Sequence, residues 1–257
     1  IGSFYLAPMV NQELAPLILN TRPADADVAI LWSQSSYRRD KKSRWFKSAV
    51  AWGHLLTRAF FEFDYVTEKE LGESLENYKV LILPSTHSLP SNVTGTIRDW
   101  VEGSGKLMAF GAPGRRNEFG DVREEFPLSD VFGADFRRWR VPAPIKPDKL
   151  QTTHPEGSYV SAPPHDYKFE TTTYAVLEPQ DGKARAWYAS AEEEVAMVEN
   201  EFGEGKVLLS GYPVGFEYWQ AAPYEMGVGM TQWRHQDYNL EAKRYEHWVA
   251  RELENLG

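Results

Sequence analysis

The chain has 257 residues, with 28 lysines and arginines against 37 aspartates and glutamates, and a formal net charge of -9. That acidic balance argues against a nucleic acid or an anionic membrane surface as a general partner. No cysteine is present, which excludes disulfides and thiolate metal sites. No apolar run approaches the ~20 residues that a membrane helix needs.

The hydrophobic share of 42% is enough for one large domain, or one domain with an appendage. In chain order, Asn11 to Asn20 reads as a short helix interrupted by Pro16, and Thr21 to Asp25 as a linker. Val28-Ala29-Ile30-Leu31-Trp32 is a continuous apolar run, the pattern of a parallel strand covered on both faces. Ser33 to Ser43 reads as a polar, basic loop, and Trp45 to Phe61 as a helix with Trp45, Ala49, Trp52, Leu55, Leu56 and Ala59 inward. Phe63 to Val66 follows as a strand, Glu68 to Glu76 as a short helix, and Val80 to Leu83 as a buried strand stopped by Pro84.

Ser91 or Asn92 is placed to cap a helix running to Glu102. Gly103-Ser104-Gly105 is expected to supply its left-handed C-cap, before a strand from Lys106 to Phe110. Leu128 to Gly133 reads as a short helix, whereas Val141 to Pro164, rich in proline and turn formers, takes no assignment. Alternation at Thr171 to Leu177, Ala184 to Ala189, Val195 to Glu199 and Lys206 to Ser210 predicts antiparallel strands, the last able to rejoin the main sheet. Asp181-Gly182 and Gly203-Glu204-Gly205 are expected hairpin turns. Arg244 to Leu256 reads as a closing amphipathic helix. The expected fold class is α/β: a three-layer, doubly wound, mostly parallel sheet with antiparallel strands added in the second half.

The first half resembles the class I glutamine amidotransferase fold. Those enzymes keep a cysteine thiolate at a strand-to-helix elbow, and here that place reads Ala109-Phe110-Gly111-Ala112-Pro113-Gly114-Arg115-Arg116. Two stretches narrow the likeness. Tyr78 to Ser85, followed by Asp99-Trp100-Val101-Glu102-Gly103-Ser104-Gly105-Lys106-Leu107, and later Glu199 to Val207, resemble the trimerisation domain of family 42 β-galactosidases. The likeness spans roughly Asp27 to Gly215. It implies an amidotransferase-like fold without catalysis, an oligomerisation or accessory role, a homo-oligomer with a trimer first, and a TIM-barrel catalytic domain elsewhere in the parent. The domain plan is then a linker or barrel tail over 1–26, the α/β unit over 27–215, and an aromatic-rich extension over 216–257. The opening Ile1-Gly2-Ser3-Phe4-Tyr5 reads as a piece of a longer chain.

No catalytic residue, cofactor or metal site is assigned. His154-Pro155-Glu156 copies the His-x-Glu of an amidotransferase triad with no nucleophile to serve. Six histidines show no metal-ligand spacing. Candidate contacts to a ligand or partner are Arg38, Arg39 and Arg44 in the basic run, Ser85 and His87 after a buried strand, Arg115 and Arg116 after the next, and Trp219 and Trp233 in the aromatic segment. The run from Arg38 to Arg44 is an anion site, a contact for an acidic surface, or a solvated loop. Phe216, Tyr218, Trp219, Tyr224, Trp233, Tyr238, Tyr245 and Trp248 are core, interface anchors or a carbohydrate platform. Two rival readings are a stand-alone hydrolase using Ser85 or Ser33 with a histidine, and a sugar or small-molecule binding module.

Overall fold

The computed structural model describes residues 25–41, 44–140, 159–160, 173–188, 191–221 and 240–256. The first half runs β1 (Val28–Trp32), α1 (Gln34–Arg39), α2 (Arg44–Arg58), β2 (Phe63–Thr67), α3 (Leu71–Ser74), a 3-10 turn (Leu75–Asn77), β3 (Val80–Leu83), α4 (Ser91–Glu102) and β4 (Lys106–Phe110). The second half runs α5 (Ser129–Phe132), β5 (Ala134–Arg140), β6 (Tyr159–Val160), β7 (Tyr174–Pro179), β8 (Lys183–Tyr188), β9 (Ala191–Phe202), β10 (Gly205–Ser210), α6 (Val214–Ala221) and α7 (Leu240–Leu256).

The strands form one sheet in the order β2-β1-β3-β4-β10-β9-β7-β5, with β8 also on β9 and β6 on β8. β2, β1, β3, β4 and β10 are mutually parallel neighbours, and β9, β7 and β5 extend the sheet antiparallel. Successive strand residues point to opposite faces. Val28, Ile30, Val80, Ile82, Met108, Phe110 and Leu208 therefore join one core with α2, α6 and α7. Ala29, Leu31, Leu81, Leu83, Leu107, Ala109, Val207 and Leu209 join the other, with the helices α3, α4 and α5. The result is a three-layer α/β fold with a mostly parallel sheet at its centre.

Several local expectations change. Ser33 to Ser43 is not a loop throughout, because Ser33 caps α1 by accepting from the Ser36 amide. Glu68 to Glu76 is only one helical turn and a 3-10 turn. α4 has Pro90 at its N-cap, which offers no side-chain acceptor; Ser91 is the first helical residue, and its hydroxyl accepts from Arg123 Nη2 at 3.2 Å. At the other end of α4 the left-handed residue is Ser104 (φ 109°), not a glycine, while Gly103 has φ -84°. The Gly105 amide returns to the Trp100 carbonyl and the Ser104 amide to the Val101 carbonyl, a Schellman closure. Gly105 is needed instead for packing, because a Cβ there would lie 2.3 Å from the Trp100 ring. Asp181-Gly182 is not a hairpin turn: β7 and β8 both pair with β9, not with each other, among the described residues. Gly203-Glu204 does join the hairpin β9–β10, with Gly203 at φ 60°.

The described aromatics near the C-terminus are core. Phe216, Tyr218, Tyr245 and Trp248 are buried, and Trp219 packs partly buried against the same cluster. Tyr212 and Tyr245 share a hydroxyl hydrogen bond of 2.7 Å. Glu252, itself buried, receives Arg185 at 2.6 and 3.2 Å and so fastens α7 to β8. The positions 224, 233 and 238, the helix expected over 11–20 and the His154-Pro155-Glu156 motif lie outside the described residues.

Gly205 sits where strand β10 leaves the end of α4, and a Cβ there would lie 2.1 Å from the Val101 carbonyl oxygen and 2.4 Å from that of Gly105. Backbone cannot yield as a side chain can, so Gly205→Ala is expected to destabilise by about 3 kcal/mol. Gly95, with nothing within 4 Å of its Cβ position, is the control: Gly95→Ala in helix α4 is expected to stabilise by about 0.5–1 kcal/mol. Urea midpoints at unchanged slope check both.

Candidate functional site

In an open α/β sheet the ligand crevice lies at the carboxyl ends of the strands, where the strand order reverses. Here that point is between β1 and β3. The crevice is filled from within. Glu68, just past the end of β2, accepts from Ser33 Oγ at 2.6 Å and from Ser35 Oγ at 2.9 Å. The Ser35 amide also points at both of its oxygens, at 3.3 and 3.4 Å. On the other side, Ser36 Oγ donates to the Ser88 carbonyl at 2.9 Å and accepts from the Ser88 amide at 3.1 Å. The first turn of α1 thus already holds a carboxylate and its hydroxyls already have partners.

The second position is the end of β3 and β4. Ser85 is buried in a left-handed conformation, φ 53°, and its hydroxyl lies 3.4 Å from Ser48 Oγ, not against an imidazole. Gly111 stands at the expected elbow with φ 78°, the backbone twist such an elbow demands, but it brings no side chain. A Cβ there would be 3.2 Å from His87 Cε1. No helix follows: the chain turns through 111–128 before α5. The Gly114 amide donates to the Thr86 carbonyl and the Arg116 amide to the His87 carbonyl, so the loop after β4 lies along the loop after β3. This register puts His87 and Arg115 on one side and Ser88 and Arg116 on the other.

His87 meets the edge of Trp139 at 5.5 Å, Trp139 meets Phe136 at 4.9 Å, and the Arg115 guanidinium stacks over Phe136 at 5.5 Å. The His87 Nδ1 and Arg115 Nη1 atoms are buried without a hydrogen-bond partner among the described residues. Burial holds the imidazole below its ordinary value of 6.5, aided by the charges of Arg116 and Arg44 and opposed by a hydrogen bond to the Ala112 backbone and by Asp40. A neutral imidazole beside a glycine has no hydroxyl or thiol to activate.

The basic candidates are spread over two helices and a loop. Arg38 and Arg39 are exposed on the last turn of α1. Arg44 opens α2 over the Phe216 ring at 5.8 Å. Arg116 reaches the loop 117–121, donating from Nη1 to the Gly120 carbonyl at 2.6 Å, and Gly120 in turn lies against Arg39. Arg116 therefore joins the Arg38–Arg39 surface, whereas Arg115 turns inward. Trp219 belongs to the core, and Trp233 lies outside the described residues. Sequence reasoning passed over Glu68 and Trp139. Glu68 had a findable signal, a carboxylate two residues past the apolar part of a strand beside the first one; Trp139 is brought in by strand pairing alone. Among the described residues no group of three or more histidines, aspartates or glutamates is arranged to hold a metal ion, and no helix is long and apolar enough to cross a membrane.

Replacing Glu68 with Ala strips two serine hydroxyls and an amide of their acceptor, and is expected to cost about 1–3 kcal/mol in urea unfolding. His87 sets a second expectation. Its folded-state value is depressed, so the unfolded chain binds the proton more readily. Its contribution is complete above pH 6.5 and is lost as the pH falls through the lower folded-state value. Urea midpoints measured from neutral pH downward are expected to fall less steeply in His87→Asn than in the unaltered chain.

Comparison with known proteins places this geometry. No match was found among curated proteins. Among solved structures, the cold-adapted β-galactosidase of Rahnella sp. R3 superposes with a TM-score of 0.64 at 16% identity, covering 88% of this chain and 35% of that one. A family 42 β-galactosidase of G. stearothermophilus gives 0.60 at 15%, covering 80% and 30%. An exo-β-1,4-mannosidase of an Opitutaceae bacterium, strain TAV5, gives 0.58 at 15%, covering 88% and 36%. The chain spans about a third of the length of these structures, and at such identities the likeness is one of fold. The model of the β-galactosidase trimerisation domain matches residues 26–221, and the chain belongs to that family.

Proposed function

We propose that the chain is a non-catalytic assembly module of a larger glycoside hydrolase and that it associates with copies of itself, as a trimer first. The observation that carries this reading is Gly111. It stands at the end of β4 with φ 78°, in the stretch where the resemblance would place a cysteine nucleophile, and it carries no side chain. The Glu68 plug supports it from the other side, since the crevice most used for ligands in this fold is already occupied. Family membership supplies the assembly role. In this reading the segment 1–26 leads from a TIM-barrel catalytic domain, 27–215 is the α/β unit, and 216–257 closes it.

The similar structures include a β-galactosidase and a mannosidase, enzymes of different sugars that share this fold. That is consistent with a module that leaves sugar choice to the rest of the parent enzyme. The hydrolase alternative draws no support from Ser33 or Ser85, whose hydroxyls face Glu68, Ser88 and Ser48.

Two measurements test the reading. The chain alone is expected to show no glutaminase and no β-galactosidase turnover; activity that survives purification and vanishes on mutating one of its own residues would refute the non-catalytic part. Light scattering on the chain is expected to give the mass of a homo-oligomer, three copies first, and a single-copy mass at all concentrations would refute autonomous assembly.

A further inference from the structure

An otherwise acidic chain carries one contiguous exposed surface with aromatic anchors and charges of both signs. It begins at the edge strand β2, where Tyr65 is 41% exposed and packs edge-on against Trp32 at 5.4 Å. Trp32 meets Phe46 at 6.0 Å, and Phe46 meets Tyr37 at 6.3 Å; these last two are 36% and 53% exposed. Tyr37 leads along α1 to Arg38 and Arg39, and the Arg39 stem lies against the loop 117–122, within 3.3 Å of where a Gly120 Cβ would sit. That loop presents Phe119, 66% exposed, and Val122, 53% exposed.

The protrusion is built. Asn117 Oδ1 accepts from the amides of Phe119 and Asp121 at 3.0 and 2.8 Å, and Arg116 clasps the Gly120 carbonyl. A loop held this firmly does not fold Phe119 away. Tyr, Trp, Phe and Arg at the centre of a patch are the composition of interface anchors, and an exposed apolar patch of this kind marks a contact.

The charges choose the partner. One flank carries Arg38, Arg39 and Lys41; the other carries Glu118, Asp121, Glu124 and Glu125. No ion pair joins the two flanks among the described residues; Arg38, Arg39, Lys41, Asp121, Glu124 and Glu125 are exposed, and Glu118 is half-buried. Two copies of a chain with net charge -9 repel at long range. Opposite local charge favours their approach, and the basic flank is a place for the acidic loop of another copy.

We infer that this surface is the self-association contact: the aromatic-basic flank of β2, α1 and the start of α2 in one copy receives the Phe119 loop and its acidic neighbours from the next. The inference rests on the assembly reading above and gives it a place. Each pairing sets the basic flank of one copy against the acidic loop of the next, and joined head to tail such a contact closes into a ring when its rotation fits. Phe119 enters among Tyr37, Phe46 and Tyr65, and the charged residues form the rim. A stable contact requires about 800 Å² per partner, and five exposed apolar anchors, Tyr37, Phe46, Tyr65, Phe119 and Val122, lie on this surface.

The test is light scattering on the intact chain and three charge variants, at low salt, with near-ultraviolet circular dichroism as the check on folding. Arg38→Glu with Arg39→Glu, and separately Glu118→Arg with Glu124→Arg, are each expected to shift the mass to that of one copy. All four changes in one chain restore opposite charge across the contact and are expected to restore the oligomer. Phe119→Ser is expected to weaken association by about tenfold or more. If the unaltered chain is an oligomer and both pairs leave its mass unchanged, the surface is wrong while the assembly reading stands; failure of the combined variant to reassociate also overturns the pairing of flanks. A single-copy mass for the unaltered chain removes both readings together.

Discussion

Every other feature of the domain depends on covering a parallel sheet on both faces. A parallel strand reached by crossovers has helices above and below it, so both sets of alternating side chains must be apolar. Val28 to Leu31, Val80 to Leu83 and Leu107 to Phe110 satisfy this without a single polar interruption. With no polar face, a one-residue slip would bury no polar side chain, so the in-phase pairing of Val28, Val80 and Lys106 is held by the crossovers and their helix ends. Once the register is fixed, the positions at the carboxyl ends follow: Ser33, Glu68, Ser85 and Gly111 come to one edge because their strands are neighbours.

That edge is where an open α/β sheet places its ligands. A doubly wound fold offers its ligand a helix N-terminus and a crevice, and an anion there is stabilised by unpaired amides. This chain spends the position on its own Glu68. A carboxylate anchored in cis competes with an incoming anion at high effective concentration. At the next strand end the positive φ of Gly111 remains without its side chain, and Ser85 beside it holds a similar twist. Such twists are tolerated because neighbouring strands over-determine the backbone.

The parallel half was readable because its signals are local. Apolar runs of four or five residues, each followed by a helix with inward Trp52, Leu55 and Leu56 or Ile97 and Val101, leave few arrangements open. The ends were less readable, since a cap is decided by competition. Ser91 has the right side chain but is the first helical residue, with Pro90 at the N-cap, and its oxygen accepts from Arg123, more than thirty residues away. Asp181-Gly182 has the composition of a hairpin turn, and what it joins is decided by β9, a strand of twelve residues that offers both its edges. The aromatic density after Phe216 was ambiguous for the same reason: whether Tyr218 and Trp248 are anchors or core depends on a sheet face assembled from strands as distant as Val28 and as near as Leu208. The residues of the contact surface share this limit. Arg38 and Arg39 were visible as a charge run, but Phe119 becomes an anchor only when the loop is braced by Arg116 and laid beside Arg39.

The position of α7 carries a consequence for the order of folding. Its residues Tyr245, Trp248, Val249 and Leu253 complete the core over α2, and Glu246 meets Arg58 across 188 residues of chain. The parallel strands β1 to β4 are contiguous in sequence and can pair early, whereas closing this face requires one of the longest loops the chain contains, an entropic cost that slows the last step. Until α7 docks, Trp52, Phe110 and Leu208 share an open apolar face. Any state lacking α7 would leave that apolar face open, the kind of surface that favours aggregation, and Arg185 on the buried Glu252 is one of the bonds that hold α7 over it.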